Sequence, residues 1–377
     1  MKVGGSAGRP LRVLACACIA LTAAGCTSSA ALSGDGSRYA ARGPDRVGVT
    51  TLSLGETGTL GLRQMTVFYP ADASRTSGHA KFAYHLGDPL PAGLTALVPA
   101  KYNTKVTVDA YVDAPGSPRG PFPVVLFSHG FGASRLFYSQ LLTGIASWGF
   151  VVISTDYLER GLLAQATHST APDSPASDQQ VMFASLEAAQ LSSALPSSPL
   201  HGLLDPDNVA AVGHSAGGQT AFDALSDPRV KTAVGWAPVG PSAPVPPKPV
   251  TIIGETGDIA LTPATLTREF HQFGGKATLV EVTGVGHNSY TDICPSIRGG
   301  GGGLVGFAIS MHLVSQELAK LATNGCTSQD RSPQSFWPVV QAYTVVALRN
   351  GLGLGAAQSV PGPNAFPPFL IVVRHHS

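Results

Sequence analysis

The sequence predicts an α/β fold, with a mostly parallel central sheet, helices on both faces and an antiparallel N-terminal edge. Three observations predict it. Short apolar runs such as Pro123–Ser128 are continuous rather than alternating, as in strands buried on both faces. Helical stretches separate these runs in regular rotation. Two early strand-like runs, Gly48–Leu54 and Leu62–Tyr69, lie close together across Gly-rich turns, which suits an antiparallel pair.

The elements follow in order. Pro70 ends the second run, and Ala71–Lys105, without a strong period and with several Pro and Gly, reads as a long irregular insertion. Pro123–Ser128 is a buried strand, followed at once by His129-Gly130-Phe131-Gly132 and then a helix over Arg135–Ser147, broken by Gly149. Phe150–Ser154 is the next strand. The polar segment Tyr157–Ser177 reads as a solvated loop, with covering of a site as the other option. Asp178–Ala194 is a helix with Asp178 as N-cap. Val209–Val212 is a strand, Ser215–Ser226 a helix, and Val230–Trp236 and Val250–Ile253 are strands flanking the Pro-rich Pro238–Pro249. Pro263–Phe273 is a helix stopped by Gly274-Gly275, and Ala277–Val282 is a strand. A strongly apolar helix over Leu304–Ala322 and a last helix over Pro338–Arg349 complete the pattern.

The 377 residues suit one large domain. Apolar residues make up 44%, enough for a sizeable core, and only 12% are charged, which argues against a disordered chain. A net charge of +1 gives no electrostatic reason to expect nucleic acid. No heptad stripe or exposed patch argues for a protein partner, so the oligomeric state stays open.

The N-terminus has the character of an export signal. Lys2, Arg9 and Arg12 precede the apolar run Val13–Ala24, which is short for a membrane span. Ala23-Ala24-Gly25-Cys26 has the form of a bacterial lipoprotein cleavage site, so residues 1–25 are expected to be a signal peptide and Cys26 to carry lipid on the outer face of the cell membrane; an ordinary secretory signal is the alternative. Residues 26–45 read as a tether, 46–350 as the folded domain and 351–377 as a Gly/Pro-rich tail. Cys16 and Cys18 would leave with the signal. Cys294 and Cys326 then remain and, in an oxidising compartment, are expected to pair.

Chemistry is concentrated in Gly213-His214-Ser215-Ala216-Gly217, a G-x-S-x-G motif between a strand and a helix. A serine nucleophile must project from a tight strand-to-helix turn, which flanking glycines allow to close. The hydroxyl needs a base, and the base an orienting acid, in the chain order serine, acid, histidine. His287 follows the strand Ala277–Val282 and is the candidate base; His271 and His312 fall inside helices and His376 is terminal. Asp258 is the candidate acid. Glu255 competes but is read as facing solvent, and Asp292 comes after the histidine. Two backbone N–H groups should hold the oxyanion: that of Ala216 and that of Phe131, with Gly132 as the alternative to Phe131. No cofactor and no metal is expected.

Together these residues resemble the α/β-hydrolase superfamily, and within it the plasma-type platelet-activating-factor acetylhydrolases and bacterial cutinase-like polyester hydrolases. The resemblance rests on Val67-Phe68-Tyr69-Pro70-Ala71, on Phe127–Gly132 through Tyr138-Ser139 to Ala146–Val152, and on Gly213–Gly218. It runs from about Val47 to about Tyr290. It implies a metal-free serine esterase with Ser215, Asp258 and His287 as triad and Phe131 and Ala216 at the oxyanion, with short-chain or acetylated lipid esters favoured. A polyester hydrolase or lipase, a thioesterase or peptidase on the same machinery, and a catalytically silent binding protein are the alternatives.

Overall fold

The computed structural model describes residues 35–55, 60–167, 176–299 and 302–376, with Met1 and Gly4. The elements all fall within one compact unit, Leu32–Ser377. The expected lipidation site Cys26, most of the signal and the first part of the tether lie outside the described residues.

In chain order the elements are β1 (Val47–Leu54), β2 (Arg63–Pro70), β3 (Lys81–His85), α1 (Ala92–Thr95), β4 (Lys105–Val112), β5 (Phe122–Ser128), α2 (Ser139–Ala146), β6 (Val151–Thr155), α3 (Leu162–Thr167), α4 (Asp178–Ala194), β7 (Leu204–His214), α5 (Ala216–Asp223), β8 (Val230–Trp236), β9 (Val250–Glu255), α6 (Pro263–Phe270), β10 (Ala277–Val282), α7 (Cys294–Arg298), α8 (Gly303–Ser310), α9 (Gln316–Thr323), α10 (Pro333–Gly351) and β11 (Ile371–His376). The strands form one sheet in the order β11-β10-β9-β8-β7-β5-β6-β2-β1-β4-β3. The six strands from β10 to β6 run parallel. β2 joins β6 antiparallel and pairs with β1 across a hairpin, which is the expected antiparallel edge.

The strand sequences explain the two-faced core. In β5, Val125 and Phe127 belong to one hydrophobic cluster and Val124 and Leu126 to the other, because successive side chains leave a strand on opposite faces. The first cluster gathers Leu141, Leu142 and Ile145 of α2 with Val339, Val340 and Tyr343 of α10. The second gathers Met182 and Leu186 of α4, Phe222 of α5 and Leu266 and Phe270 of α6. A strand with both faces covered needs apolar residues at every position, hence the unbroken runs.

Several elements differ from the sequence reading. The insertion Ala71–Lys105 is not irregular throughout: β3 and β4 pair antiparallel and extend the sheet edge. Helix α2 starts at Ser139, four residues later than expected, because the preceding stretch is held as turns. The N-cap of α4 is Ser177, whose side chain accepts the Gln180 N–H while the Gln180 side chain accepts the Ser177 N–H; such a box adds about 1 kcal/mol. The apolar run Leu304–Ala322 is two helices, α8 and α9. His312 at φ 57° breaks it, and Ser315 caps the second helix. Helix α10 begins at Pro333, a favourable first-turn proline, and carries Pro338 inside it.

Both ends of the expected domain are corrected too. The latter part of the 26–45 tether packs onto the body: Tyr39 is buried, its ring meets Trp148 edge-on, and Gln341 of α10 donates to the carbonyls of Tyr39 and Ala41. The 351–377 tail ends in β11, paired antiparallel with β10. Its Ile371-Val372-Val373 run suits an edge strand and outweighs the Gly and Pro before it.

Candidate active site

The carboxyl ends of the parallel strands carry the site, as the fold dictates. Ser215 sits between β7 and α5 with φ 54° and ψ −122°, a conformation rare outside glycine. The turn closes because Gly213 and Gly217 lack side chains. A Cβ on Gly213 would collide with the Gly217 carbonyl, and one on Gly217 with the backbone of Ser128. The turn pushes the serine Oγ out above the sheet.

Three loops converge on that oxygen. His287 Nε2 lies 2.9 Å from Ser215 Oγ, and His287 Nδ1 lies 2.7 Å from Asp258 Oδ2. A carboxylate can only accept, so Nδ1 carries the ring proton and Nε2 is left to accept from the serine hydroxyl. Asp258 and His287 are each 4% exposed, which keeps water from competing for these bonds. The other oxygen of Asp258 accepts from the N–H groups of Ala260 at 2.7 Å and Leu261 at 2.8 Å, which fixes the carboxylate plane.

The loop after β5 faces Ser215. Gly130, Phe131 and Gly132 line one pocket with Ser215 and His287. Gly132 N–H is already engaged by the Arg160 carbonyl at 2.8 Å, which removes it as the alternative oxyanion donor. Among the described residues, the N–H groups of Phe131 and Ala216 have no acceptor. Arg160 braces this loop further, donating to the His129 carbonyl and, at 2.7 Å, to Ser128 Oγ, while its Nε holds Asp178 at 2.9 Å.

Behind the triad runs a second line of polar contacts. His214 Nε2 donates to the His287 carbonyl at 2.8 Å, so its Nδ1 accepts from Tyr138 Oη, also at 2.8 Å. Tyr138 Oη in turn accepts from Gly130 N–H at 3.3 Å. Burial, then the neighbouring His287, holds the His214 pKa well below its usual value, so this imidazole stays neutral and keeps its tautomer. One network thus connects the oxyanion loop, the nucleophile turn and the base loop. In the sequence Tyr138 and His214 stand only inside motifs, because the partners that give them a role come from distant segments of the chain.

Two further acidic residues are buried near the site. Glu255 does not face solvent. It is fully buried at the end of β9, and neither carboxyl oxygen has a hydrogen-bond partner among the described residues. β9 runs two residues beyond its expected end at Ile253, to Glu255, and carries that side chain into the core. Burial first, and the charge of Asp258 second, push the Glu255 pKa well above the carboxylate range, so it stays a neutral acid. The adjacent Tyr290 gives its own proton to the Ile253 carbonyl at 2.9 Å. Asp292 sits away from the imidazole, accepting from Tyr84 Oη at 2.9 Å, with its pKa pushed by burial to about 7.

The pocket over Ser215 is apolar. Phe137, Ile293, Leu304, Val314 and Leu318 form much of its wall. Leu162 and Gln165 of α3 also line it, so the segment read as a solvated loop borders the site. A second apolar chamber lies beyond, walled by Leu90, Leu94, Leu97, Phe307 and Met311, and it shares Leu162, Leu304, Ala308 and Val314 with the first. The disulfide Cys294–Cys326 closes the foot of the segment that carries α7, α8 and α9.

Comparison with known proteins agrees with this geometry. Residues 98–298, slightly more than half of the chain, match the chlorophyllase family. Platelet-activating factor acetylhydrolase of Cavia porcellus is 24% identical over 235 residues, covering 52% of each chain. Chlorophyllase-1, chloroplastic, of Citrus sinensis is 34% identical over 111 residues, covering 28% of this chain and 29% of that one. The chain therefore spans about half the length, or less, of the curated relatives it matches. Ferulic acid esterase from Streptomyces cinnamoneus superposes with a TM-score of 0.58 at 20% identity, over 87% of this chain and 97% of that one, and this likeness shows the fold. The architecture is the α/β-hydrolase fold, and the chain belongs to the chlorophyllase family.

Proposed function

We propose that the protein is a carboxylic ester hydrolase that works through an acyl-enzyme on Ser215. The observation that carries this reading is the unbroken hydrogen-bond chain Ser215–His287–Asp258 at the floor of an apolar pocket. Ser215 Oγ attacks the ester carbonyl carbon while His287 Nε2 takes its proton. Asp258 stabilises the imidazolium that forms. The N–H groups of Phe131 and Ala216 receive the negative charge on the carbonyl oxygen. The C–O bond then breaks, the alcohol leaves with the proton from His287, and the acyl group stays on Ser215. A water molecule gives a proton to His287 and attacks the acyl carbon, releasing the acid and restoring the serine. The named activity of the acetylhydrolase relative supports the reaction class.

Short-chain or acetylated lipid esters are the favoured substrates. A longer hydrocarbon chain is the second reading, favoured by the further apolar chamber behind the first. Hydrolysis of a p-nitrophenyl ester series from acetyl to palmitoyl, by wild type and Ser215→Ala, tests both. Activity that falls to background in the variant supports the nucleophile, and the preferred chain length separates the two readings. Equal activity in both proteins contradicts the proposal.

The export reading fits the same picture. The Cys294–Cys326 disulfide suits an oxidising compartment, and lipid on Cys26 would hold the enzyme at the outer membrane face. Among the described residues no helix is long and apolar enough to cross a membrane.

A further inference from the structure

The base and the acid stand on two different loops, after β10 and after β9, which meet at the His287–Asp258 hydrogen bond. A third segment joins them. Asn324 follows α9 and lies at the junction. Its Oδ1 accepts from His287 N–H at 2.9 Å and from Ile259 N–H at 3.3 Å. Its Nδ2 donates to the Gly257 carbonyl at 3.0 Å. Its own carbonyl accepts from Asn288 N–H at 2.9 Å. Only one orientation of the amide satisfies all three side-chain bonds, since two partners are donors and one is an acceptor. The residues before and after the acid, and the base with its successor, are thus held by one side chain and its backbone.

The surroundings fit this role. Asn324 packs so tightly against Gly286 that a Cβ there would stand 2.8 Å from Asn324 Oδ1. Gly325, at φ 83°, lets Ser289 Oγ reach its carbonyl at 3.0 Å, and the same hydroxyl accepts Gly286 N–H at 3.1 Å. Asn288 Nδ2 donates to Leu321 of α9 at 2.7 Å. Two residues after Asn324, Cys326 is bonded to Cys294 at the far end of the base loop.

We infer that Asn324 is a positioning residue that aligns His287 with Asp258, and that the Cys294–Cys326 bond anchors it in place. This rests on the serine-esterase reading above. The physical argument is one of precision. The His287–Asp258 contact spans 2.7 Å between loops of different strands, and a displacement of about 1 Å at a catalytic group costs on the order of a hundredfold in rate. The clasp acts on the chemical step rather than on substrate binding, because Asn324 reaches the base and acid loops through their backbone and not through the pocket.

The test compares full-length wild type, Asn324→Ala and Asn324→Asp by steady-state kinetics, by labelling with a fluorophosphonate and by the low-field proton NMR signal of the His287 Nδ1 proton. Asn324→Ala is expected to lower kcat by about 10- to 100-fold with KM within about twofold, to slow labelling in parallel, and to shift or broaden the low-field signal. Asn324→Asp keeps the acceptor for His287 N–H but replaces the donor to Gly257 by a charged carboxylate oxygen, so it should fall between the two and decides the matter if the alanine variant does not fold. A folded Asn324→Ala with wild-type kcat and an unchanged low-field signal overturns the inference, as does a loss confined to KM. A wild type that takes no label overturns the esterase reading instead. The NMR comparison still judges the clasp in that case.

Discussion

The proposed nucleophile and the proposed base are held by opposite means. Ser215 is set by its immediate neighbours: a central buried strand before it, a helix after it and two glycines that let the turn close. His287 is set by distant ones: the amide of Asn324, the carbonyl contact from His214 and a disulfide-closed segment 294–326. The first arrangement is local and stores strain in one residue. The second is assembled only when the chain has folded. Half of the machinery is therefore resistant to changes elsewhere, and the other half depends on a surface segment that also walls the pocket.

The largest expected effects sit on the shared chemistry. Ser215→Ala should lower kcat/KM by about 10⁴-fold or more, and Asp258→Asn by about 10³- to 10⁴-fold by favouring the wrong imidazole tautomer, both read by ester hydrolysis. An intermediate effect separates the two halves. Replacing both Cys294 and Cys326 by Ala should lower kcat by roughly tenfold, in the direction set by loosening the Asn324 clasp, while leaving β7 and α5 unchanged in amide hydrogen exchange. A loss of protection in β7 equal to that in α9 would erase the distinction.

Smaller effects report on strain and on buried charge. Ser215→Gly removes the side chain from its unfavourable backbone position, so it should abolish activity yet raise stability by about 1 kcal/mol, measured by denaturant unfolding. Asp292 has its pKa raised to about 7 in the folded protein, so the native state holds a proton that the unfolded chain releases near its ordinary value. Its contribution to stability is present at low pH and declines as pH rises towards 7. Asp292→Asn keeps the Tyr84 bond and carries no such dependence, so its Tm relative to wild type should rise between about pH 4 and pH 7 and level off above that. Least of all, Glu255→Gln should leave kcat within about twofold, because the buried group is already neutral and the amide has the same shape and charge. A large loss would contradict a neutral Glu255 that takes no part in turnover.

The central sheet was legible because strands covered on both faces demand unbroken apolar runs, and Pro123–Ser128, Val230–Trp236 and Ala277–Val282 supply them. The serine turn was legible because its glycines and the flanking strand and helix are adjacent in sequence. The structure brings His287 and Asp258 together with Ser215 as the order of the motif suggested. Other features were hidden for a physical reason: their meaning lies in partners far along the chain. Asn324 sits 37 residues from the amide it accepts. Glu255 reads as a solvent-facing charge until β9 is seen to carry it under Tyr290. Residues 351–377 read as a tail by their Gly and Pro content, while the last of them needed only the free edge of β10 to become a strand.

The most direct measurement is to treat the folded protein with a fluorophosphonate and map the adduct by peptide mass spectrometry, alongside His287→Ala. The account predicts a single adduct on the peptide holding Ser215, formed rapidly in wild type and slowed by about 10³-fold or more without His287. An unlabelled protein, an adduct on another residue, or labelling of Ser215 at the same rate in the absence of His287 would contradict it.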